Sequence, residues 1–519
     1  MTWLLVSPIL IPLVGAALAL LFRHALRVQR AITVVWTSGA LAASVALLAS
    51  VWQGGIAATQ LSSWPAPLGI TFVADLLSAT MVVITGVIGF TVGLYALGTV
   101  EERHERAGFH PLYAILLMGV NGAFLTGDLF NLFVWFEILL IASFVLLVVE
   151  NGRAQVRGAL VYVTINLIAS TCFVIAIGLL YGATGTLNMA DIAVRLAEVP
   201  SPALVTVIAM LFLVSFGIKA GVFPLFAWLP ASYHTPPVAI SAVFAGLLTK
   251  VGVYALIRTF TLFFTQDTGF THGTLLLWIA GLTMVTGVLG AAAQQEIRRI
   301  LSFHIISQIG YMVLGLALLT PLALVGAVFY VVHHIIVKTN LFLVGGIAAR
   351  LGGSSELAHL GGLYKRYPYL AMLFVVPAFS LAGFPPLSGF WAKAILIKAG
   401  LEVGEVLIVV VALVVGALTI YSMTKIWAQA FWAPRPAGAA APVPETRPLW
   451  LLVVPAVLLA TITIAIGLGT EVFFQLAQQT AAQLLDPRDY VAAVLGPAVT
   501  PPPPLLTPAE VLPVSAPLP

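Results

Sequence analysis

Of the seven lysines in the chain, only Lys365 lies clearly in a polar loop. Lys219, Lys250, Lys338, Lys393, Lys398 and Lys425 all fall inside apolar runs, whereas most of the 16 arginines sit in loops or at segment ends. Arginine effectively never loses its proton, but a buried lysine gives one up readily. If the apolar runs cross a bilayer, each charge at its centre costs about 2.5–3.5 kcal/mol on insertion scales. The four most central lysines (Lys219, Lys250, Lys338 and Lys393) would then oppose folding by roughly 10 kcal/mol before pairing. Groups kept at that cost point to a path for protons. The bland alternative is snorkelling, with the stem along the helix and the ammonium at the interface; it suits Lys398 and Lys425, which lie near segment ends. Lys250 is about twelve residues into its run, or ~18 Å, which places it near the midplane.

One acid matches these lysines in depth. Glu137 stands in Asn131-Leu132-Phe133-Val134-Trp135-Phe136-Glu137, among large apolar groups. An unpaired carboxylate there would stay protonated, since desolvation disfavours its charged form. Lys219 is the candidate partner that would restore the charge; a neutral Glu137 bonded to a neighbouring helix is the alternative. Asp75 and Asp128 lie near segment ends and read as interfacial. Histidines extend the line: His334 and Lys338 are four residues apart, hence on one helical face, and histidine can pass protons near neutrality. His304 and His333 are further candidates, or else buried neutral rings bonded to a carbonyl. Metal binding by His333 and His334 is not expected, because adjacent helical residues point about 100° apart.

The remaining chemistry is excluded by letters that are missing. There is no phosphate-binding glycine loop, nucleophile elbow, HExxH, or haem or iron–sulfur ligation. No metal and no cofactor are therefore expected, and the chain reads as a transporter subunit rather than an enzyme, driven by an ion gradient or a partner. The single cysteine, Cys172, allows no internal disulfide, and no basic run suggests nucleic acid.

The elements that must hold these groups follow from composition. The 519 residues are 61% apolar and only 8% charged, against roughly 25% charged in soluble proteins. The reading is an all-α polytopic membrane protein in contact with lipid, with roughly 14 apolar spans. They fall near 2–22, 31–52, 70–99, 108–126, 128–150, 157–181, 203–232, 238–262, 272–293, 299–319, 322–349, 369–400 with a break, 405–432 and 449–474. Residues 496–519 read as an irregular Pro-rich tail. Basic residues follow the first span instead of preceding it, so Met1 to Leu21 reads as a retained span and not a cleaved signal. If the spans alternate, 14 loop or end Lys/Arg residues fall on one side and Arg195, Arg258 and Arg488 on the other. The positive-inside rule then makes the basic side cytoplasmic and puts both termini outside.

A faint repeat also appears. Ala220-Gly221-Val222-Phe223-Pro224-Leu225 recurs as Ala382-Gly383-Phe384-Pro385-Pro386-Leu387, about 161 residues on and an odd number of spans later. Matching Gly/Pro breaks in two halves point to a transporter's ion pathway; the plainer account is that Pro and Gly are common in membrane helices.

Asp128 to Leu147 (DLFNLFVWFEILLIASFVLL) resembles the fifth-helix signature of the antiporter-like subunits shared by respiratory complex I and the Mrp-type multisubunit cation/proton antiporters. The run from Phe216 to Leu225, with Trp228-Leu229-Pro230 and His234-Thr235-Pro236-Pro237, is similar to the family's broken seventh helix. Arg298 to Phe303 with Ser307-Gln308-Ile309-Gly310-Tyr311 resembles the start of its tenth. The resemblance covers about residues 70 to 430. It implies about 14 transmembrane helices with two inverted five-helix repeats, each with a broken helix. The units would be helices 1–3 over 1–107, the first repeat over 108–262, the second over 263–432, and the last helix with its tail over 433–519. By matching motif it implies Glu137 and Lys219 as a paired switch and Lys250 as central relay. His334 and Lys338 would continue the route, and Lys393 would stand on the second broken helix. His333-His334 and Phe303-His304 resemble the D-type subunits of Mrp-type antiporters. The complex I subunit with the closest helix count typically has Glu at the position of Lys393. The implied function is exchange of Na⁺ (with K⁺ or Li⁺ as further candidates) for H⁺ in a hetero-oligomeric complex of the cell membrane. The alternative is a proton-pumping subunit of a complex I-like dehydrogenase or membrane-bound hydrogenase.

Overall fold

In a computed structural model the protein is described over residues 2–437 and 447–505. Two peripheral helices open the chain, α1 (Thr2–Leu21) and α2 (Leu26–Gly54), followed by the antiparallel strands β1 (Ala57–Gln60) and β2 (Thr71–Ala74). The third span was expected to begin at residue 70. Thr71-Phe72-Val73 instead makes a strand, as β-branched and aromatic residues favour. The helix α3 (Leu76–Thr99) starts only after Asp75, whose carboxylate accepts from Ser78 N in a capping box.

A short α4 (Glu102–Arg106) leads to α5 (Phe109–Leu125), α6 (Leu129–Leu147) and α7 (Arg153–Thr184). After α8 (Met189–Arg195), α9 (Pro202–Ala220) and α10 (Trp228–Ser232), the buried α11 (Val238–Leu262) passes through the interior. Next come α12 (Thr268–Ala293), α13 (Ile297–Leu318), α14 (Pro321–Gly352), α15 (Leu363–Arg366), α16 (Pro368–Ala382) and α17 (Ser388–Glu402). The chain then forms α18 (Val406–Trp432), α19 (Trp450–Leu468), α20 (Thr470–Leu485) and α21 (Arg488–Leu495). Among the described residues, 12 helices are long and apolar enough to cross a membrane, and α5 and α16 are shorter apolar helices.

The final span was expected to run to 474. It ends at Leu468, and α20 and α21 were not foreseen. The α20 helix buries Phe474, Ala477, Ala481 and Leu484 at helical spacing and packs on α14. The segment 496–505 is irregular, with Leu505 N donating to Leu485 O; the rest of the expected tail lies outside the described residues. Interior helices α3, α11, α13 and α14 are buried nearly throughout, while α1, α2, α7, α12, α18 and α19 expose apolar faces.

Two local geometries occur twice. At the end of α9, Gly221 (φ 80°) donates to Gly217 O and Ile218 O, and Val222 N donates to Gly217 O. At the end of α16, Gly383 (φ 98°) donates to Phe379 O and Ser380 O, and Phe384 N donates to Phe379 O. Only glycine adopts that left-handed turn without strain. A paired bridge recurs as well. Leu129 N–Leu187 O (2.9 Å) and Met189 N–Gly127 O (2.8 Å) match Ile297 N–Ser355 O (3.1 Å) and Leu357 N–Gln295 O (2.9 Å).

Candidate ion-translocation site

Glu137 projects from α6 and is half-buried. Ser170 Oγ, from α7, donates to Glu137 Oε1, and Lys219 Nζ lies 3.5 Å from the same hydroxyl. The expected pair is thus coupled through Ser170 and not by a direct ion pair. Lys219 occupies the last turn of α9, where the helix carbonyls favour a cation, and its ammonium stands 5.6 Å from the Phe136 ring centroid. Phe136 packs edge-on against Phe216, which in turn meets Phe173 edge-on.

Lys250 is fully buried on α11 and donates to Ala245 O (2.7 Å) and Thr249 Oγ1 (3.1 Å). Ala245 belongs to a π-helical turn, Phe244–Leu248. Such a turn disturbs the regular helix hydrogen bonds, and a carbonyl there meets the lysine. No hydrogen bond joins Lys219 to Lys250 among the described residues. The two helices cross there, with Gly252 against the backbone of Lys219 and Ala220.

On α14, His334 and Lys338 are fully buried and none of their side-chain nitrogens has a hydrogen-bond partner; the same holds for His304 on α13. These groups lie in one electrostatic neighbourhood. Lys250 is within reach of Lys338 and His334, and His304 of Lys338 and Lys393. His333 Nδ1 meets Ser388 Oγ at 2.8 Å, Ser388 Oγ is 3.0 Å from Ser380 Oγ, and His333 Nε2 is buried without a partner. Lys393, on α17, donates back across the break to Leu381 O (3.0 Å) and Ala382 O (2.9 Å), and lies 5.3 Å from the Tyr311 ring.

Of the six expected site residues, Lys219, Lys250, His334, Lys338 and Lys393 are buried in the interior and Glu137 is half-buried. Sequence reasoning missed Ser170, Ser380 and Ser388, as well as the stacked Tyr311–Tyr330 pair bonded to Gln308. Asn340, buried with an unpartnered amide, was missed as well. Asp75 stands at the start of α3, at a segment end, and is buried there in a 2.6 Å ion pair with Arg258 of α11. Asp128 caps α6 through Asn131 N (2.7 Å) at the segment end. Lys398 is half-exposed, 4.0 Å from Glu402. Lys425 instead donates to Ala292 O and Gln294 O at the end of α12. No cluster of three or more His, Cys, Asp or Glu able to hold a metal ion occurs among the described residues.

Residues 126–419 match the family model described as NADH:quinone oxidoreductase/Mrp antiporter, TM. The chain is similar to the D-type subunit of the Na⁺/H⁺ antiporter of Alkalihalophilus pseudofirmus, with 48% identity over 95% of this chain and 99% of that protein. It is also similar to the corresponding D-type antiporter subunit of Bacillus subtilis, with 42% identity over 94% and 99%. Its fold resembles a chain of the Mrp complex from Dietzia sp. DQ12-45-1b, with TM-score 0.89, 34% identity, and coverage of 96% and 100%. A chain of an archaeal membrane-bound sulfane sulfur reductase is also similar, with TM-score 0.86, 26% identity, and coverage of 95% and 100%. This polytopic all-α membrane protein belongs to the NADH:quinone oxidoreductase/Mrp antiporter family.

Proposed function

We propose that the chain is an ion-translocating subunit of a multisubunit Na⁺/H⁺ antiporter of the Mrp type, in the cell membrane with both termini outside. It would work beside the other subunits of that complex, with K⁺ and Li⁺ as further candidate cations. The observation that carries the reading is the unbroken burial of Lys219, Lys250, Lys338 and Lys393 with His304 and His334 between them, in a chain nearly half identical to a D-type antiporter subunit. A buried lysine without a carboxylate partner is strongly disfavoured as a bare cation. Such residues serve where a proton must arrive and leave.

Glu137, through Ser170, stabilises the charged form of Lys219. Moving the carboxylate away leaves the ammonium uncompensated beside Phe136, and its proton passes on towards Lys250. From there the order is Lys338 and His334, His304, and Lys393. The recurring glycine-closed breaks and paired bridges support two inverted units, 108–262 and 263–432, with Lys219 and Lys393 each beside one break. The likeness to a respiratory reductase chain keeps redox-driven pumping as the second reading.

Everted vesicles carrying the assembled complex, with a pH-sensitive dye and a Na⁺ pulse, test the proposal. Lys219→Ala should abolish exchange with the complex intact, and Lys398→Ala should leave it near the wild-type rate. Equal tolerance of both would remove the buried lysine from the mechanism. Co-purification in mild detergent separates the two readings: small hydrophobic partners support the antiporter, and iron–sulfur or nickel proteins support the pump.

A further inference from the structure

Lys425 lies near the end of α18 and is half-buried, so one side of it faces the protein's surface. Its Nζ donates to Ala292 O (2.8 Å) and Gln294 O (2.6 Å), carbonyls that the end of α12 leaves without helical partners. On its own helix the Tyr421 ring is 5.9 Å away. Among the described residues no carboxylate lies within ion-pair distance of it.

Inward, Lys425 is within electrostatic reach of His304 on α13, which also reaches Lys338 and Lys393. His304 is fully buried, and both its ring nitrogens are unpartnered. It therefore has a donor and an acceptor to spare. On α18 the buried hydroxyls of Ser422 and Thr419 follow Lys425; each donates to the carbonyl four residues back, which leaves its oxygen free to accept. Further along, a Cβ on Gly416 would stand 3.8 Å from the Tyr311 hydroxyl and 3.9 Å from Lys393 Nζ. One helix thus runs from a half-exposed lysine to the ammonium on the second broken helix, about 13 Å along its axis.

The corresponding turn of the first half differs in one respect. There the Tyr254 hydroxyl donates to Phe124 O near the end of α5, as Lys425 does to Ala292 O near the end of α12. Beside Tyr254 stands Arg258, locked to Asp75 at 2.6 Å. An arginine cannot release its proton. That turn is a lock, whereas the one at Lys425 carries a group that titrates.

We propose that Lys425 is the port of the proton route in the second half, exchanging protons between the basic face of the protein and His304, from which they reach Lys338 and Lys393. The proposal rests on the antiporter reading above. The competing role is a plain helix cap, and the two separate by substitution. Lys425→Arg keeps the charge and the donors to Ala292 O and Gln294 O but cannot give up a proton. Lys425→His keeps a titratable group.

In everted vesicles with the complex assembled, Lys425→Arg should lose Na⁺-driven proton exchange by about a hundredfold. Lys425→His should keep part of it, with the pH–activity profile moved to lower pH. Wild-type exchange in Lys425→Arg overturns the port. If Lys425→Arg fails to assemble, Lys425→His decides, since an unmoved pH profile overturns the proposal and a moved one supports it. Lys219→Ala in the same series distinguishes the two levels. Normal exchange in that variant sinks the antiporter reading itself, whereas a dead Lys219→Ala beside a normal Lys425→Arg removes the port alone.

Discussion

Ser170 places a single hydroxyl between the Glu137 carboxylate and the Lys219 ammonium, and a hydroxyl can donate to one and accept from the other at once. The two charges are then coupled without a direct ion pair, so a small outward movement of α6 or α7 breaks the link. Glu137→Gln is expected to stop exchange as completely as Lys219→Ala does. Ser170→Ala should slow it by about tenfold or more, the worth of a hydrogen bond to a charged group, and Ser170→Thr should restore most of the loss. Dye dequenching in everted vesicles reads all three; undiminished exchange in Glu137→Gln would leave the lysines to work alone. The lysines and Glu137 were legible in the sequence because a charge inside an apolar run is expensive enough to need a reason. Ser170, Ser380 and Ser388 were not. A serine in an apolar helix usually bonds its own carbonyl four residues back, and only the fold shows which of them turn outward to Glu137 or His333.

Helix-scale reading succeeded where an element is a long apolar run and failed where it is short or two-faced. Thr71 to Ala74 is apolar enough to merge with α3, and only the Asp75 capping box separates strand from helix. The α20 helix carries Gln475, Gln478, Gln479 and Gln483 beside its buried residues, so hydropathy alone passes over it. Ties between elements were equally hidden. Glu105, on α4, accepts from Arg30 of α2 (2.6 Å) and from Arg447 (3.1 Å), with His110 of α5 at 3.5 Å. Burial alone would raise the Glu105 carboxyl, but nearby His110 and the hydrogen bonds from Arg30 and Arg447 outweigh it and hold the group down, from 4.5 to about 2. A carboxylate held below its unfolded value adds stability above that value and loses it as pH falls towards the folded one. The thermal stability of the detergent-solubilised complex should therefore keep this group's full contribution near neutrality, and should lose it as pH falls between about 4.5 and 2. Glu105→Gln should cost up to about 3 kcal/mol, because it takes the anion from Arg447 and leaves Arg30 with Glu102 alone. A Glu105→Gln protein as stable as wild type at neutral pH would show that the cluster holds nothing together.

The orientation of the whole molecule rests on charge, and the structure sharpens that argument. On the sparse side, each basic residue has its own aspartate: Arg195 with Asp191 (2.9 Å), Arg258 with Asp75 (2.6 Å) and Arg488 with Asp486 (2.5 Å). Little net positive charge is left there. On the rich side several arginines instead hold the ends of other helices. Arg350 donates to Gly98 O (3.1 Å) and Arg447 to Leu97 O, both at the end of α3, while Arg298 donates to Pro236 O (3.0 Å). These contacts collect residues distant in sequence at one end of the bundle, as alternation of the spans requires. The rule that keeps Lys and Arg on the cytoplasmic side acts on such short flanking segments, so the end bearing Arg103 and Arg299 should face the cytoplasm. Cys172, the one native cysteine, is only partly buried on α7, and a Cys172→Ser background removes its signal. In that background Arg103→Cys and Arg299→Cys, both at exposed positions, should resist an impermeant maleimide in intact cells and react once the membrane is opened. Glu198→Cys, exposed beyond α8, should react in intact cells without treatment. The reverse pattern would turn the molecule over, put both termini inside and place the Lys425 end on the outer face. A mixed pattern, with Arg103→Cys protected and Arg299→Cys labelled, would show that an odd number of crossings separates the two, and would rule out the alternation on which the inverted units depend.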